Sequence, residues 1–357
     1  MRRNMYVVFI AFLALTAITF FAGCAKMKTK KEIKKGDVLL KEGKFDEAIG
    51  EYTKAIELFV DNEDKAEAYN NRGVAKGKKG DYDGAIADYT KAIELKPDYA
   101  KAYFDRGITK DEKGDHDGAI ADYTKAIELK PDYADAYYNR GNGRRDEGDY
   151  DGAIADYTKA IELYTNDKDK VKPYINRGIA KYYKGDHDGA ITDFNEAIEL
   201  FGENNPETAI AYHNRGVARY YKGNHDGAIA DYTKAIELKP DYATAYHNRG
   251  YAFFKNNDFE NAEKDFDAAI NLTPNLGLFY KGKGILRLYQ EQFDDAYKLF
   301  REAVELDGNL KKDIAEDEDI ILWLCAPANK DKAQEVRDEI DKIIAPEQLK
   351  ECPKQQK

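Results

Sequence analysis

The chain has 357 residues, 34% of them charged, with a formal net charge of −11. That acidity excludes binding to a phosphate backbone, which needs a density of Lys and Arg. Its 27 tyrosines and 43% hydrophobic residues exclude a disordered chain, and three cysteines are too few for a disulfide-built scaffold.

Met1-Arg2-Arg3-Asn4 is a short basic start, Met5–Phe21 is uninterruptedly apolar, and Ala22-Gly23 puts small residues before Cys24. This is the layout of a secretory signal, to be set aside from the fold. Phe21-Ala22-Gly23-Cys24 resembles the bacterial lipobox, with Phe21 where that family usually has Leu. The resemblance implies a signal peptide over residues 1–23, acylation of Cys24 and attachment to the membrane through an N-terminal lipid. The alternative is an uncleaved signal anchor, because about 17–20 apolar residues can span a bilayer. Both place Arg2 and Arg3 inside and the remainder outside the cytoplasmic membrane. Asp after the lipobox cysteine would favour inner-membrane retention. Ala25 stands there, which points to the outer membrane, facing the periplasm. Residues 24–28 read as a lipidated polar tether.

Residues 29–310 then repeat a unit of about 34 residues eight times: 29–65, 66–99, 100–133, 134–170, 171–208, 209–242, 243–276 and 277–310. A glycine opens the register (Gly36, Gly73, Gly107, Gly141, Gly178, Gly216, Gly250, Gly284). An alanine follows it by twelve residues and an aromatic by sixteen, as Ala153 and Tyr157 follow Gly141. Small and large positions at helical spacing mark the close approach of two helices, here A and B of a hairpin. Pro97, Pro131, Pro240 and Pro274 end helix B. A unit this short cannot bury its apolar face alone, so the repeats stack on one another. Three junctions, 59–65, 164–170 and 201–208, carry three or four extra residues and predict an added helical turn.

This pattern resembles the tetratricopeptide repeat. The resemblance implies an all-α fold, a solenoid coiled as a right-handed superhelix of helical hairpins, with 311–357 as capping helices and tail. Lys312–Ala326 and Lys330–Ile344 read as amphipathic cap helices, with Trp323 covering the last raw apolar face, and residues from 347 onward as frayed. One position departs from the family. Arg72, Arg106, Arg140, Arg177, Arg215 and Arg249 stand where Leu is common. The same six units carry Asp88, Asp122, Asp156, Asp193, Asp231 and Asp265 just before the aromatic. A half-buried ion pair between the two helices accounts for both; solvated charges copied by duplication is the other reading.

Nothing in the sequence reads as catalytic: it contains no phosphate-binding glycine loop, nucleophile elbow or zinc motif, and implies no cofactor and no metal. His116, His187 and His225 occupy the turn position held by Tyr82 and Tyr150 in sister units. His213 and His247 lie one repeat apart and lack a third ligand. Cys325 and Cys352 could pair after export, but spacing alone does not establish it.

In tetratricopeptide folds the concave surface is lined by helix A. Carried over, those positions are mixed and acidic in units 1–4, and in units 5–8 they are aromatic, basic and free of acids. Among them are Lys172, Tyr182, Tyr183, His213, Tyr220, Tyr221, His247, Tyr251, Phe254, Lys255, Lys281 and Tyr289. Aromatic enrichment with charge depletion is the composition of an interface core. The implied partner is a protein or peptide with acidic and apolar side chains, drawn by Lys172, Lys255 and Lys281. A lipid-anchored envelope adaptor, serving secretion, pilus or outer-membrane assembly, is the reading this supports. A glycan- or peptidoglycan-binding solenoid is the alternative.

Overall fold

The computed structural model describes residues 25–58, 61–345, 347 and 349–352, so the signal and lipobox reading of residues 1–24 lies outside it. Every regular element among the described residues is helical. In chain order these are α1 (25–41), α2 (Phe45–Glu57), α3 (Asn62–Lys79), α4 (Tyr82–Leu95), α5 (Ala100–Glu112), α6 (His116–Leu129), α7 (Ala134–Asp146), α8 (Tyr150–Leu163) and α9 (Asp167–Tyr183). They continue as α10 (His187–Phe201), α11 (Ala209–Tyr221), α12 (His225–Leu238), α13 (Ala243–Lys255), α14 (Phe259–Leu272), α15 (Gly277–Tyr289), α16 (Phe293–Leu306), α17 (Leu310–Ala315), α18 (Glu318–Cys325) and α19 (Lys330–Ile344). The chain divides into two compact units, residues 1–180 and 181–357, and in each unit consecutive helices pack as an α-solenoid of hairpins.

The repeated Gly-Asp-Tyr-Asp-Gly-Ala sequence is a turn with a job for each small residue. Gly148 has φ +83, the left-handed conformation that ends α7. Asp149 then N-caps α8 by accepting from the Gly152 N–H at 3.0 Å. Asp81, Asp115, Asp186 and Asn224 cap their helices in the same way. Inside each hairpin the register glycine meets the aromatic: a Cβ on Gly141 would lie 2.8 Å from Tyr157, which is fully buried.

The conserved-looking basic and acidic positions form a rung that is largely buried. In unit 4, Arg140 donates Nε and Nη2 to the two carboxylate oxygens of Asp156 at 2.9 and 2.7 Å. Its Nη1 reaches Thr124 of the preceding hairpin at 3.2 Å, and its guanidinium lies 5.6 Å from the centroid of Tyr137. A second cation, Arg144, bonds the same carboxylate at 2.9 Å. Arg72, Arg106 and Arg249 repeat the bidentate bond to Asp88, Asp122 and Asp265 and the reach to Thr53, Thr90 and Thr233. Arg215 pairs with Asp231 and uses Asn195 instead of threonine. These five aspartates are 2–5% exposed, which decides against solvated duplicated charges. The end units adapt the pattern. Lys35 pairs with Glu32 and Glu51, while Lys283 reaches back to Asp267, the position threonine holds in unit 6.

Several boundaries differ from expectation. Residues 25–28, read as a tether, are the first turn of α1. The extra residues at the first two long junctions lengthen the next helix A, giving α3 18 and α9 17 residues against 13 in α5 or α7. The third junction is not a helical turn. Gly202, with φ +89, ends α10, and Pro206–Thr208 forms a 3₁₀ turn capped by Asn205. The first cap helix is broken in two, because Asp317 N-caps α18 at the Asp319 and Ile320 amides.

Trp323 is 5% exposed and meets Phe293 edge-on at 5.5 Å, as a cap residue should. The tail is not frayed as far as it is described. Cys325 and Cys352 are disulfide-bonded, Leu349 is buried, and the Lys350 N–H donates to the Ala315 carbonyl at 3.0 Å.

The rung predicts an asymmetric mutational response. Asp156→Ala strands two cations in a buried site and should cost about 3 kcal/mol or more of unit stability. Arg140→Ala should cost less, because Arg144 still neutralises Asp156. Chemical denaturation of both single variants and the double variant checks this: strong non-additivity is expected, and equal, small, additive effects would show independent charges.

Candidate functional site

Helix A of units 5 and 6 ends in a tyrosine pair, Tyr182-Tyr183 on α9 and Tyr220-Tyr221 on α11, within the second compact unit. Adjacent helical residues point about 100° apart, so one ring of each pair turns inward and the next outward. Tyr182 and Tyr220 are half-buried, while Tyr183 and Tyr221 are 62% and 63% exposed. The rings form a continuous cluster. Tyr182 meets Tyr183 at 5.3 Å and Tyr221 at 5.6 Å between centroids, and Tyr220 meets Tyr221 at 5.5 Å. His187 and His225, at the starts of α10 and α12, back Tyr182 and Tyr220 at 5.3 and 5.0 Å. Burial, and then the neighbouring Tyr221, push the Tyr182 phenol well above its ordinary range. The Tyr182 and Tyr220 hydroxyls, both raised by burial, remain protonated at neutral pH.

In units 7 and 8 the sequence positions behave differently. Phe254, expected in the same trough, is 5% exposed and packs among Tyr251, Phe259 and Tyr289. His247 is buried against Phe279 at 4.8 Å and edge-on to Tyr251 at 5.0 Å. Close approach is possible because Gly282 faces them; a Cβ there would lie 2.9 Å from His247. Phe254, with Tyr251, Phe259 and Tyr289 packed against it, belongs to the core that runs into the cap, and His247 is buried as well.

Two of the three expected lysines are already engaged by the chain itself. The start of α18 lies against α13 and α15. Lys255 pairs with Asp319, Lys281 pairs with Asp317 at 2.9 Å, and Tyr289 donates to the Asp319 carbonyl at 3.0 Å. The Tyr289 phenol is pushed up to about 12 by burial and then by Asp319 and Asp317. Lys172 is exposed and lies in the first compact unit, apart from the rest of the set.

His213 is held neutral: burial lowers its pKa to about 4, and its Nε2 lies 2.9 Å from Asn248 Nδ2. His247 is lowered to about 3 by burial and then by Lys281. Among the described residues no three His, Cys, Asp or Glu side chains gather as a metal site, and no helix is long and apolar enough to cross a membrane.

Sequence reasoning found the tyrosine pairs but not Asp317 and Asp319, which lie outside the repeats and are brought in by the cap. It assigned His187 and His225 to turn packing, and both rings do pack on helix-A tyrosines. The only available signal for the cap contact was the run Glu316-Asp317-Glu318-Asp319, acidic opposite a basic face.

Comparison with known proteins follows the geometry. A family model described as TPR repeat matches residues 36–80, 112–143 and 216–257. Models described as Tetratricopeptide repeat match 66–99 and 134–167, 243–276, 88–121, and 171–204. No curated protein shows significant similarity to the chain. Among solved structures, the C-terminal part of a TPR repeat-containing protein from Cytophaga hutchinsonii is 22% identical over 70% of this chain and 98% of its own, with a TM-score of 0.55. A tetratricopeptide repeat protein from Parabacteroides merdae is 22% identical over 69% and 94%, with a TM-score of 0.51. YrrB, described as a TPR protein with an unusual peptide-binding site, is 27% identical over 55% and 97%, with a TM-score of 0.45.

The buried histidines set a pH dependence. Both have folded pKa values below the unfolded value of about 6.5, so the unfolded state binds more protons between those values. Their stabilising contribution is complete above pH 6.5 and is lost as pH falls toward about 4 for His213 and about 3 for His247. His247→Phe should therefore flatten the stability loss between pH 7 and pH 5 by up to about 2 kcal/mol. In NMR titration His213 and His247 should stay neutral at pH 5. The exposed His116, raised by its bond to Asp111, should already be charged.

Proposed function

We propose that this chain, which belongs to the tetratricopeptide-repeat family, is an interaction scaffold that takes a protein or peptide partner on the tyrosine cluster of α9 and α11. The observation that carries this reading is the pair of exposed rings, Tyr183 and Tyr221, in continuous contact with half-buried Tyr182 and Tyr220. A cluster backed by packed aromatics is pre-organised, so little side-chain entropy is lost on binding. The partner presents apolar side chains to these faces. Its acidic character is less favoured than the sequence implied, because Lys255 and Lys281 are neutralised by Asp319 and Asp317. A binding role is favoured over an enzymatic one because the family supplies binding surfaces from repeated units.

Residues 1–24 supply the second half of the proposal: a lipid on Cys24 tethers the scaffold in the bacterial envelope, in the outer membrane facing the periplasm. A role in secretion, pilus or outer-membrane assembly accords with that address. The glycan-binding alternative rests on the same exposed rings, which could stack on sugar faces.

Two experiments test this. Replacing both Tyr183 and Tyr221 with Ala should weaken capture of a stoichiometric partner from solubilised envelope roughly thirtyfold, the effect of losing about 2 kcal/mol of anchor contact. The melting temperature should change by only a few degrees, because both rings are exposed. Undiminished capture would move the site elsewhere, and co-sedimentation with purified cell wall that depends on the same rings would establish the glycan reading. Separately, Cys24→Ser should block acylation and processing; a variant still cleaved at the same site and membrane-bound like wild type would refute the anchor.

A further inference from the structure

The first helix carries a charge pattern opposite to that of the chain. Residues 25–44 hold eight lysines against three acids, a net charge of +5 in a molecule whose total is −11. Helical periodicity sorts these residues. Thr29, Glu32, Ile33 and Gly36 are buried against the rest of the first unit. Met27, Lys31, Lys34, Val38 and Lys41, spaced by four, three, four and three residues, lie in one stripe and are all exposed. Lys28, Lys30, Lys31, Lys34 and Lys41 make no ion pair with any described residue, whereas Lys26 and Lys35 are paired with Asp61 and Glu32. Met27 opens the stripe and is 70% exposed, and Val38, between Lys34 and Lys41, is 50% exposed. The stripe runs over 15 residues, about 21 Å of helix.

Two observations identify what covers such a face. The chain is already helical at Ala25, the first described residue, which stands one residue after Cys24 and four after the apolar Met5–Phe21 segment, so little chain separates the proposed attachment from the lysine stripe. The exposed side chains are unpaired cations with apolar neighbours, the chemistry that meets lipid phosphates with shallow insertion of the apolar groups. We infer that the Met27–Lys41 face of α1 lies on an anionic lipid surface and fixes how the scaffold stands on the membrane. This rests on the reading of residues 1–24 as the membrane attachment. A lipid chain alone would leave the scaffold free to pivot; a second contact along α1 lays the first repeat against the bilayer.

The test uses the full-length chain on vesicles of phosphatidylcholine alone or mixed with phosphatidylglycerol, with acetylation rates of individual lysines read by mass spectrometry. On the anionic vesicles Lys31, Lys34 and Lys41 should react several-fold more slowly than on neutral ones. High salt should remove that protection, and the exposed Lys264 and Lys342 should react equally throughout. Vesicle-bound protein with equal rates on both lipids overturns the lipid contact while leaving the anchor intact. Protein that stays in solution with both vesicles overturns the anchor and the contact together. Protection that rises with protein concentration in the absence of anionic lipid assigns the face to a second copy of the chain and also overturns the inference.

Discussion

A buried carboxylate held by an arginine, and in most units by a second cation, organises the central repeats. Asp156 lies between α7 and α8 with Arg140 and Arg144 on its two oxygens, and Arg140 spends its remaining nitrogen on Thr124 of the preceding hairpin. A planar guanidinium suits this work because its donors are fixed in a fork and its face can rest on an aromatic ring, here Tyr137. One side chain thereby joins helix A to helix B and one hairpin to the next. Apolar stacking alone is tolerant of small slips. A bidentate bond with a third directed donor is not, so the rung fixes the stacking register where it recurs.

That register has consequences for the surface. Gly141 must remain a glycine for Tyr157 to lie flat against α7, and the same small–large contact recurs from Gly36 with Tyr52 to Gly284 with Phe300. With the helix B aromatic filling the hairpin, aromatics added on helix A find less room inside. In units 5 and 6 they divide between packing and exposure, with Tyr183 and Tyr221 on the exposed side. In unit 7, Phe254 and Tyr251 are instead absorbed, because α15 and the cap extend the core past them.

The cap therefore does more than cover an apolar end. Its first turn brings Asp317 and Asp319 to Lys281 and Lys255, so the charge of the last two units is balanced internally. The Cys325–Cys352 bond and the Lys350–Ala315 hydrogen bond hold the tail across this region. In the first unit α1 keeps Lys28, Lys30, Lys31, Lys34 and Lys41 without an acidic partner among the described residues.

Much of this was legible in the sequence because it is local and repeated. The glycine–alanine–aromatic spacing reports contacts within one hairpin, so the repeat and its helical hairpins could be read directly. Arg140 with Asp156 recurs at a constant separation of sixteen residues, and the burial of Asp156 decided between an ion pair and copied surface charges. The threonine partner and the second cation recur in most copies, yet their meaning depends on how one hairpin sits on the next. Whether Phe254 is core, what neutralises Lys255 and Lys281, and whether Cys325 reaches Cys352 all depend on where the non-repeating residues after 310 come to rest. Periodicity determines a contact when both partners recur within the period. A contact between a repeat and a segment outside it is decided only by long-range packing, and that is where the candidate surface was trimmed.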